Sequence, residues 1–204
     1  MKKSIGEQSL VFHKKHNGKL FTKSILPIKN KDILSLVYTP GVGRVSQEIA
    51  KNKKLANTLT MKGRTVAVIS DGSAVLGLGK IGALGAMPVM EGKSVLLKEL
   101  AGVDSVPVVL DTNNKEEIIR TIEIISPTYG AILLEDFSAP NCFEIENTLK
   151  EKLDIPVMHD DQYGTAMVVL AGLYNALKIV KKKIENVSVC VLGVGSAGIA
   201  ITRL

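Results

Sequence analysis

An α/β fold built on a parallel sheet is predicted by three features of the chain. Short β-branched runs alternate with amphipathic stretches from residue 64 onward, the order that produces right-handed βαβ crossovers. Aromatic residues make up 4% of a chain that is 46% hydrophobic, so the core must rest on Val, Ile, Leu and Ala, as parallel sheets covered on both faces do. Near the end, Val187-Ser-Val-Cys-Val-Leu runs into Gly193-Val-Gly195-Ser196-Ala197-Gly198 and an apolar helix start. That is the strand–turn–helix context of a dinucleotide-binding turn, with a pyrophosphate resting on the helix N-terminus. The expected architecture is a three-layer parallel-sheet domain over residues 1–162. A linking helix and the first strand–turn–helix of a Rossmann domain, incomplete, follow over residues 163–204.

In chain order, residues 1–35 are polar and lysine-rich, and Pro27 breaks whatever precedes it. A short apolar stretch over 31–37 leads into Tyr38-Thr-Pro-Gly, a tight turn that opens a helix over 42–50. A strand is expected over 64–70. It empties into the glycine-rich run Asp71-Gly-Ser-Ala-Val-Leu-Gly-Leu-Gly-Lys-Ile-Gly, which could cradle a ligand or simply pack a loop tightly. A helix over 88–101 follows, with Lys93 near its start. The alternation then becomes regular: strand 105–110, helix 114–125, strand 130–134, helix 142–153, strand 155–158, and a long helix over 165–181.

Composition excludes several classes. Net charge is +6 over 204 residues, but the lysines, among them Lys2, Lys3, Lys14, Lys15 and Lys19, are scattered and lack interleaved aromatics. No nucleic-acid surface is expected. Cys142 and Cys190 are the only cysteines and form no Cys-x-x-Cys pair, which fits a reducing, cytoplasmic compartment. The first residues lack the apolar core of a signal peptide. The apolar stretch 164–180 carries Thr165, Asn175 and Lys178 and is expected to be a buried helix, not a membrane span.

The chemistry concentrates in residues 133–165. Two apolar runs, 131–134 and 155–158, end in Glu135-Asp136 and in Asp160-Asp161 beyond His159. Parallel strands bring their carboxyl ends to one edge, where α/β sheets bind ligands. Carboxylates gathered there either hold a divalent cation or are ordinary strand-end acids facing water. With no Cys or His pair at zinc spacing, an all-oxygen set points to Mg²⁺ or Mn²⁺. Tyr38, fixed at a turn, carries a hydroxyl that could serve as an acid or merely pack. A helix start disfavours an ammonium, so Lys93 could have a lowered pKa and act as a base, or could simply be solvated.

Taken together, Tyr38-Thr-Pro-Gly-Val, Ser70-Asp-Gly-Ser-Ala-Val-Leu-Gly-Leu-Gly, Pro88-Val-Met-Glu-Gly-Lys, Leu134-Glu-Asp-Phe and His159-Asp-Asp-Gln-Tyr-Gly-Thr-Ala resemble the small bacterial-type malic enzymes. The resemblance runs from Tyr38 to Gly198. It implies oxidative decarboxylation of malate to pyruvate and CO₂ with NAD or NADP as oxidant. It implies Glu135, Asp136 and Asp161 as ligands of Mg²⁺ or Mn²⁺, Lys93 as general base, Asp160 as the partner of that lysine and Tyr38 as general acid. The turn Gly193, Gly195, Ser196, Ala197, Gly198 would meet the cofactor. The family is generally dimeric, so a homodimer is expected.

Two positions depart from the family pattern: Lys80 stands where a neutral or acidic residue is common, and Tyr163 where many relatives carry His. Length departs as well, since a nucleotide domain needs about 150 residues. The expectation is a fragment or one half of a split pair, with doubtful turnover on its own. Alternative readings are a malolactic-type enzyme, or a non-catalytic module that pairs with a full-length partner.

Overall fold

The computed structural model describes residues 4–204, so the expectations that touch Lys2 and Lys3 lie outside the described residues. The chain opens with helices that bury little. Helix α1 (Ile5–His16) starts from a reciprocal cap between Ser4 and Glu7, and α2 (Lys31–Val37) starts from the Asn30 side chain. Helices α3 (Gly41–Lys51) and α4 (Ala56–Leu59) follow, and none of the four contains a buried residue.

The sheet begins with β1 (Thr65–Ser70) and continues with α5 (Gly82–Ala101), β2 (Asp104–Val109), α6 (Lys115–Ile125) and β3 (Ala131–Leu134). After these come α7 (Asn141–Lys152), β4 (Val157–His159), α8 (Asp160–Val180) and α9 (Ser196–Arg203). The strands lie in the order β2-β1-β3-β4, all parallel. On one face Ala67, Ile69, Ile132 and Leu134 pack against Ile118 and Ile122 of α6 and Cys142, Ile145 and Leu149 of α7. On the other, Val68 and Leu133 meet Met90 of α5. Three layers result, as the alternating pattern requires. Each fully buried aliphatic side chain contributes ~1.5–3 kcal/mol.

Register places the functional edge. Ile69 sits beside Leu134, and Leu134 beside His159. The next residues along, Glu135-Asp136 and Asp160-Asp161, therefore leave the sheet side by side.

Three expectations need correction. Helix α5 starts at Gly82, six residues before Pro88, which lies inside it. Lys93 is therefore at mid-helix, away from any N-terminal dipole. The stretch 187–192 forms no strand, because among the described residues nothing offers it a ladder of hydrogen bonds. Finally, α8 starts at Asp160 and buries only Gln162, Ala166 and Leu177. It is long and apolar enough to cross a membrane by length and composition, yet its main neighbours are α9 and β4, so Met167, Val168 and Ile179 stay uncovered.

Candidate active site

Three of the predicted carboxylates converge. Glu135 and Asp136, just past β3, and Asp161 in the first turn of α8 each offer an oxygen, all within 4.8 Å of one another. Asp136 adopts a left-handed conformation with φ 59°, and its backbone N–H donates to Asp161 Oδ2 at 2.9 Å. Asp136 Oδ1 accepts the Leu76 N–H at 3.2 Å. Its other oxygen, Oδ2, and Glu135 Oε2 are buried without a hydrogen-bond partner.

Orphaned buried carboxylate oxygens are costly, and their surroundings shift these acids away from their ordinary values. Burial pushes Glu135 up to about 8, against the pull of Lys93. Burial also raises Asp136. Asp161 moves the other way: burial would raise it, but the His159 ring and the Asp136 N–H outweigh that and hold it below its ordinary value. Two buried oxygens without donors, an all-oxygen set and acids driven toward neutrality fit a divalent cation of the Mg²⁺ or Mn²⁺ kind.

Lys93 reaches this cluster from the middle of α5. Its Nζ lies 2.7 Å from Asp160 Oδ2 and 3.2 Å from Glu135 Oε1. The expected lowering of its pKa is not observed. Burial does push it down, but the Asp160 hydrogen bond and the charges of Glu135 and Asp160 win, so the ammonium is held above its ordinary value. Asp160 lies close against Gly164, where an added Cβ would come within 2.4 Å of Asp160 Oδ1 and force that side chain to shift.

The glycine-rich stretch after β1 packs tightly and also serves the site. Gly72, at φ +68°, has no room for a Cβ against the Gly82 carbonyl. The loop beyond it delivers the Leu76 N–H to Asp136 Oδ1 and the Ala74 N–H to the Asp136 carbonyl. Asp71, a residue not singled out from the sequence, anchors this loop. It accepts the Ser73 hydroxyl at 2.6 Å, the Ser73 N–H at 2.9 Å and Asn113 Nδ2 at 3.1 Å. Ser73 Oγ in turn accepts the Ser138 N–H at 2.9 Å.

Sequence reasoning also missed Glu146, although a charged residue on the apolar stripe of Cys142, Ile145 and Leu149 is a legible signal. Of the two departures, Lys80 is exposed, without an ion pair among the described residues. Tyr163 lies under Lys150 Nζ, 4.3 Å from the ring centroid.

One expected catalytic residue is not brought in. Tyr38 is 63% exposed, its helix packs on α3, and its hydroxyl makes no hydrogen bond among the described residues. The glycine turn and the helix expected after it are present, though without the preceding strand. Gly193 takes φ +109°, Gly198 lies too close to the Gly193 carbonyl for any side chain, and Gly195 faces open space at the start of α9. Ser196 and Ala197 complete its first turn, with backbone N–H groups unclaimed by a side-chain cap. Such a surface suits a pyrophosphate.

Comparison with known proteins gives a consistent picture. The family described as malic enzyme, N-terminal domain, matches residues 14–121, and malic enzyme, NAD binding domain, matches residues 162–204. The NAD-dependent malic enzyme of Geobacillus stearothermophilus is 57% identical over 98% of this chain and 42% of its own length. The bifunctional malic/malolactic enzyme of Bacillus subtilis is 49% identical over 98% of this chain and 49% of its own. The crystal structure of malic enzyme from Pyrococcus horikoshii superposes with a TM-score of 0.95 at 47% identity, covering 98% of this chain and 47% of that one. The chain thus spans less than half the length of these three relatives.

Proposed function

The chain belongs to the malic enzyme family, and from that footing we propose that it supplies the substrate and metal site of an enzyme converting malate to pyruvate and CO₂ with reduction of NAD or NADP. The observation that carries the proposal is Lys93 Nζ held between Asp160 and Glu135, beside two buried carboxylate oxygens that lack donors. We divide the chain at 162/163, one residue after the start of the nucleotide-binding match at residue 162.

In this reading Glu135, Asp136 and Asp161 hold Mg²⁺ or Mn²⁺. When bound, the cation acidifies the malate C2 hydroxyl and polarises the C2 carbonyl that follows. The neutral Lys93 amine accepts the C2 hydroxyl proton as hydride leaves C2 for the nicotinamide. The high pKa seen here does not oppose this role. With Glu135 holding a cation, burial, the largest influence on Lys93, and the cation's own charge would favour the neutral amine against the Asp160 hydrogen bond that still holds the ammonium. Asp160 keeps Nζ in place through its 2.7 Å contact. After CO₂ departs, the Tyr38 hydroxyl protonates C3. Gly193, Gly195, Ser196, Ala197 and Gly198 cradle the cofactor pyrophosphate.

The test is a Mn²⁺ titration of the protein with and without malate, set against Asp136→Asn. Binding that malate tightens and the variant loses is expected. Equal binding by the variant, or none by the wild type, would overturn the metal assignment. The Bacillus relative's bifunctional name makes lactate worth assaying beside pyruvate, and lactate as sole product would favour the malolactic reading.

We propose a homodimer to account for the exposed position of Tyr38. Leu34, Leu36 and Val37 of α2 and Val45 of α3 are exposed apolar side chains, and in this proposal a second copy covers them and takes up each Tyr38 beside its own Lys93. Mixing inactive Lys93→Ala and Tyr38→Phe proteins should then restore activity, because the mixed dimer holds one intact pair. If the mixture stays inactive after subunit exchange is verified, the shared site is wrong. We place the protein in the cytoplasm on the strength of its free cysteines, Cys142 buried and Cys190 exposed. We take α8 as a docking helix and not a span, because its first turn is wired into the site through Asp160 and Asp161.

A further inference from the structure

Behind the carboxylates lies a buried polar cluster that the chemistry above does not use. Glu146 from α7 is 1% exposed, His159 at the end of β4 is fully buried, and Gln162 in α8 is 3% exposed. A buried carboxylate is costly unless it is fully paired. Glu146 is paired on both oxygens. Oε1 accepts the His159 backbone N–H at 2.9 Å and lies 2.8 Å from the Lys150 ammonium, while Oε2 accepts Gln162 Nε2 at 2.9 Å. The same Gln162 Nε2 stands 3.1 Å from His159 Nδ1. On the far side of the ring, His159 Nε2 lies 3.1 Å from Asp161 Oδ2, a contact short of a well-formed hydrogen bond.

These contacts determine where the imidazole proton sits. An ionised carboxylate only accepts, so the Gln162 group facing Glu146 is its NH₂. One amide hydrogen goes to Glu146 Oε2 and the other to His159 Nδ1, which must present a lone pair. The neutral ring then carries its proton on Nε2, against Asp161 Oδ2. That oxygen also accepts the Asp136 N–H, whereas the other Asp161 oxygen takes no hydrogen bond among the described residues.

We infer that Glu146, acting through Gln162, fixes His159 as its Nε2–H tautomer, and that this N–H, 3.1 Å from Asp161 Oδ2, faces one oxygen of Asp161 with a donor and leaves the other for the metal. His159 is then a positioning residue, one step removed from the cation. The inference rests on the reading of Glu135, Asp136 and Asp161 as the metal site. Outer partners of metal ligands typically govern affinity by about 10- to 100-fold.

Glu146→Gln tests it in the intact protein. The substitution is isosteric, but it sets an NH₂ against Gln162, which must turn its carbonyl toward both neighbours. His159 Nδ1 then has to donate, the proton leaves Nε2, and a lone pair faces the Asp161 carboxylate. Nitrogen NMR of the imidazole should show the tautomer switch, and Mn²⁺ affinity should fall by about 10- to 100-fold. His159→Gln, whose amide can stand where Nε2–H stood, should keep affinity within several-fold, while His159→Leu should match Glu146→Gln. Thermal melting reports separately on the structural part Glu146 plays at the start of α8. A wild-type Nδ1–H tautomer, a switch without loss of affinity, or His159→Gln failing as badly as His159→Leu would each overturn the inference. A wild type lacking Asp136-dependent Mn²⁺ binding would overturn the metal reading itself, which is a different result.

Discussion

On the proposed function, replacing Lys93 with alanine is expected to lower malate turnover by the intact protein about 10²- to 10⁴-fold, the usual cost of losing a general base, with Mn²⁺ binding retained. Lys93 is the ammonium placed between Asp160 at 2.7 Å and Glu135 at 3.2 Å, and the site offers no second amine in contact with those carboxylates among the described residues. Alanine alone does not separate a base from a structural counter-ion. Lys93→Arg does, because guanidinium keeps the charge but cannot give up its proton in this pH range. Both variants should fall to similar turnover, with Lys93→Arg preserving the ion pairs. The measurement is kcat at saturating malate and Mn²⁺, beside a Mn²⁺ titration of each variant. Substantial turnover by Lys93→Arg would remove Lys93 from the base role.

Why the sequence yields some of this site and not the rest follows from particular residues. The carboxylates are legible because their placement depends on topology alone: parallel β3 and β4, with Leu134 beside His159, carry Glu135, Asp136, Asp160 and Asp161 to one edge. The setting of Lys93 is not legible. Gly82, Gly85 and Pro88 read as loop by local propensity, yet Ala83, Ala86 and Met90 bury against the sheet and draw all of that stretch into α5. Tertiary burial overrides the local preference, and Lys93 moves from a helix start to mid-helix. The strand expected over 187–192 fails for the opposite reason. Its β-branched pattern is sound, but a strand is completed by a neighbour's backbone, and none lies beside it among the described residues. Tyr38 shows the same limit at the level of the site, since its motif is plain while its position depends on what covers α2 and α3. The Glu146–Gln162–His159 cluster depends on side-chain directions across three elements, which no spacing rule supplies.

The metal-free protein should lose stability as pH rises from about 5 to 8, and Mn²⁺ should abolish that loss. Glu135 titrates near its ordinary 4.5 when unfolded and is pushed up to about 8 by burial in the fold. Between those values the unfolded chain has released a proton that the folded chain keeps, so stability falls as pH rises and levels off above about 8. Asp136, also raised by burial, acts in the same direction from the lower end of the window. Asp161 is lowered, so its contribution is lost only as pH falls below about 3.8. The stabilisation from the raised Lys93 is fully present below 10.5 and is lost at higher pH, so neither group bends the profile between 5 and 8. A divalent cation needs the ionised carboxylates, and its affinity should therefore climb through the same window. At 100-fold excess over Kd it contributes about 2.7 kcal/mol, a rise in Tm of roughly 5–10 °C for a chain of this size. Thermal unfolding at pH 5, 6, 7 and 8, with chelator or with Mn²⁺, should give melting curves that diverge steadily toward pH 8, and Asp136→Asn should remove the divergence. Parallel pH profiles with and without Mn²⁺ would mean that Glu135 is not neutralised by burial and that the cation is not held by these three carboxylates.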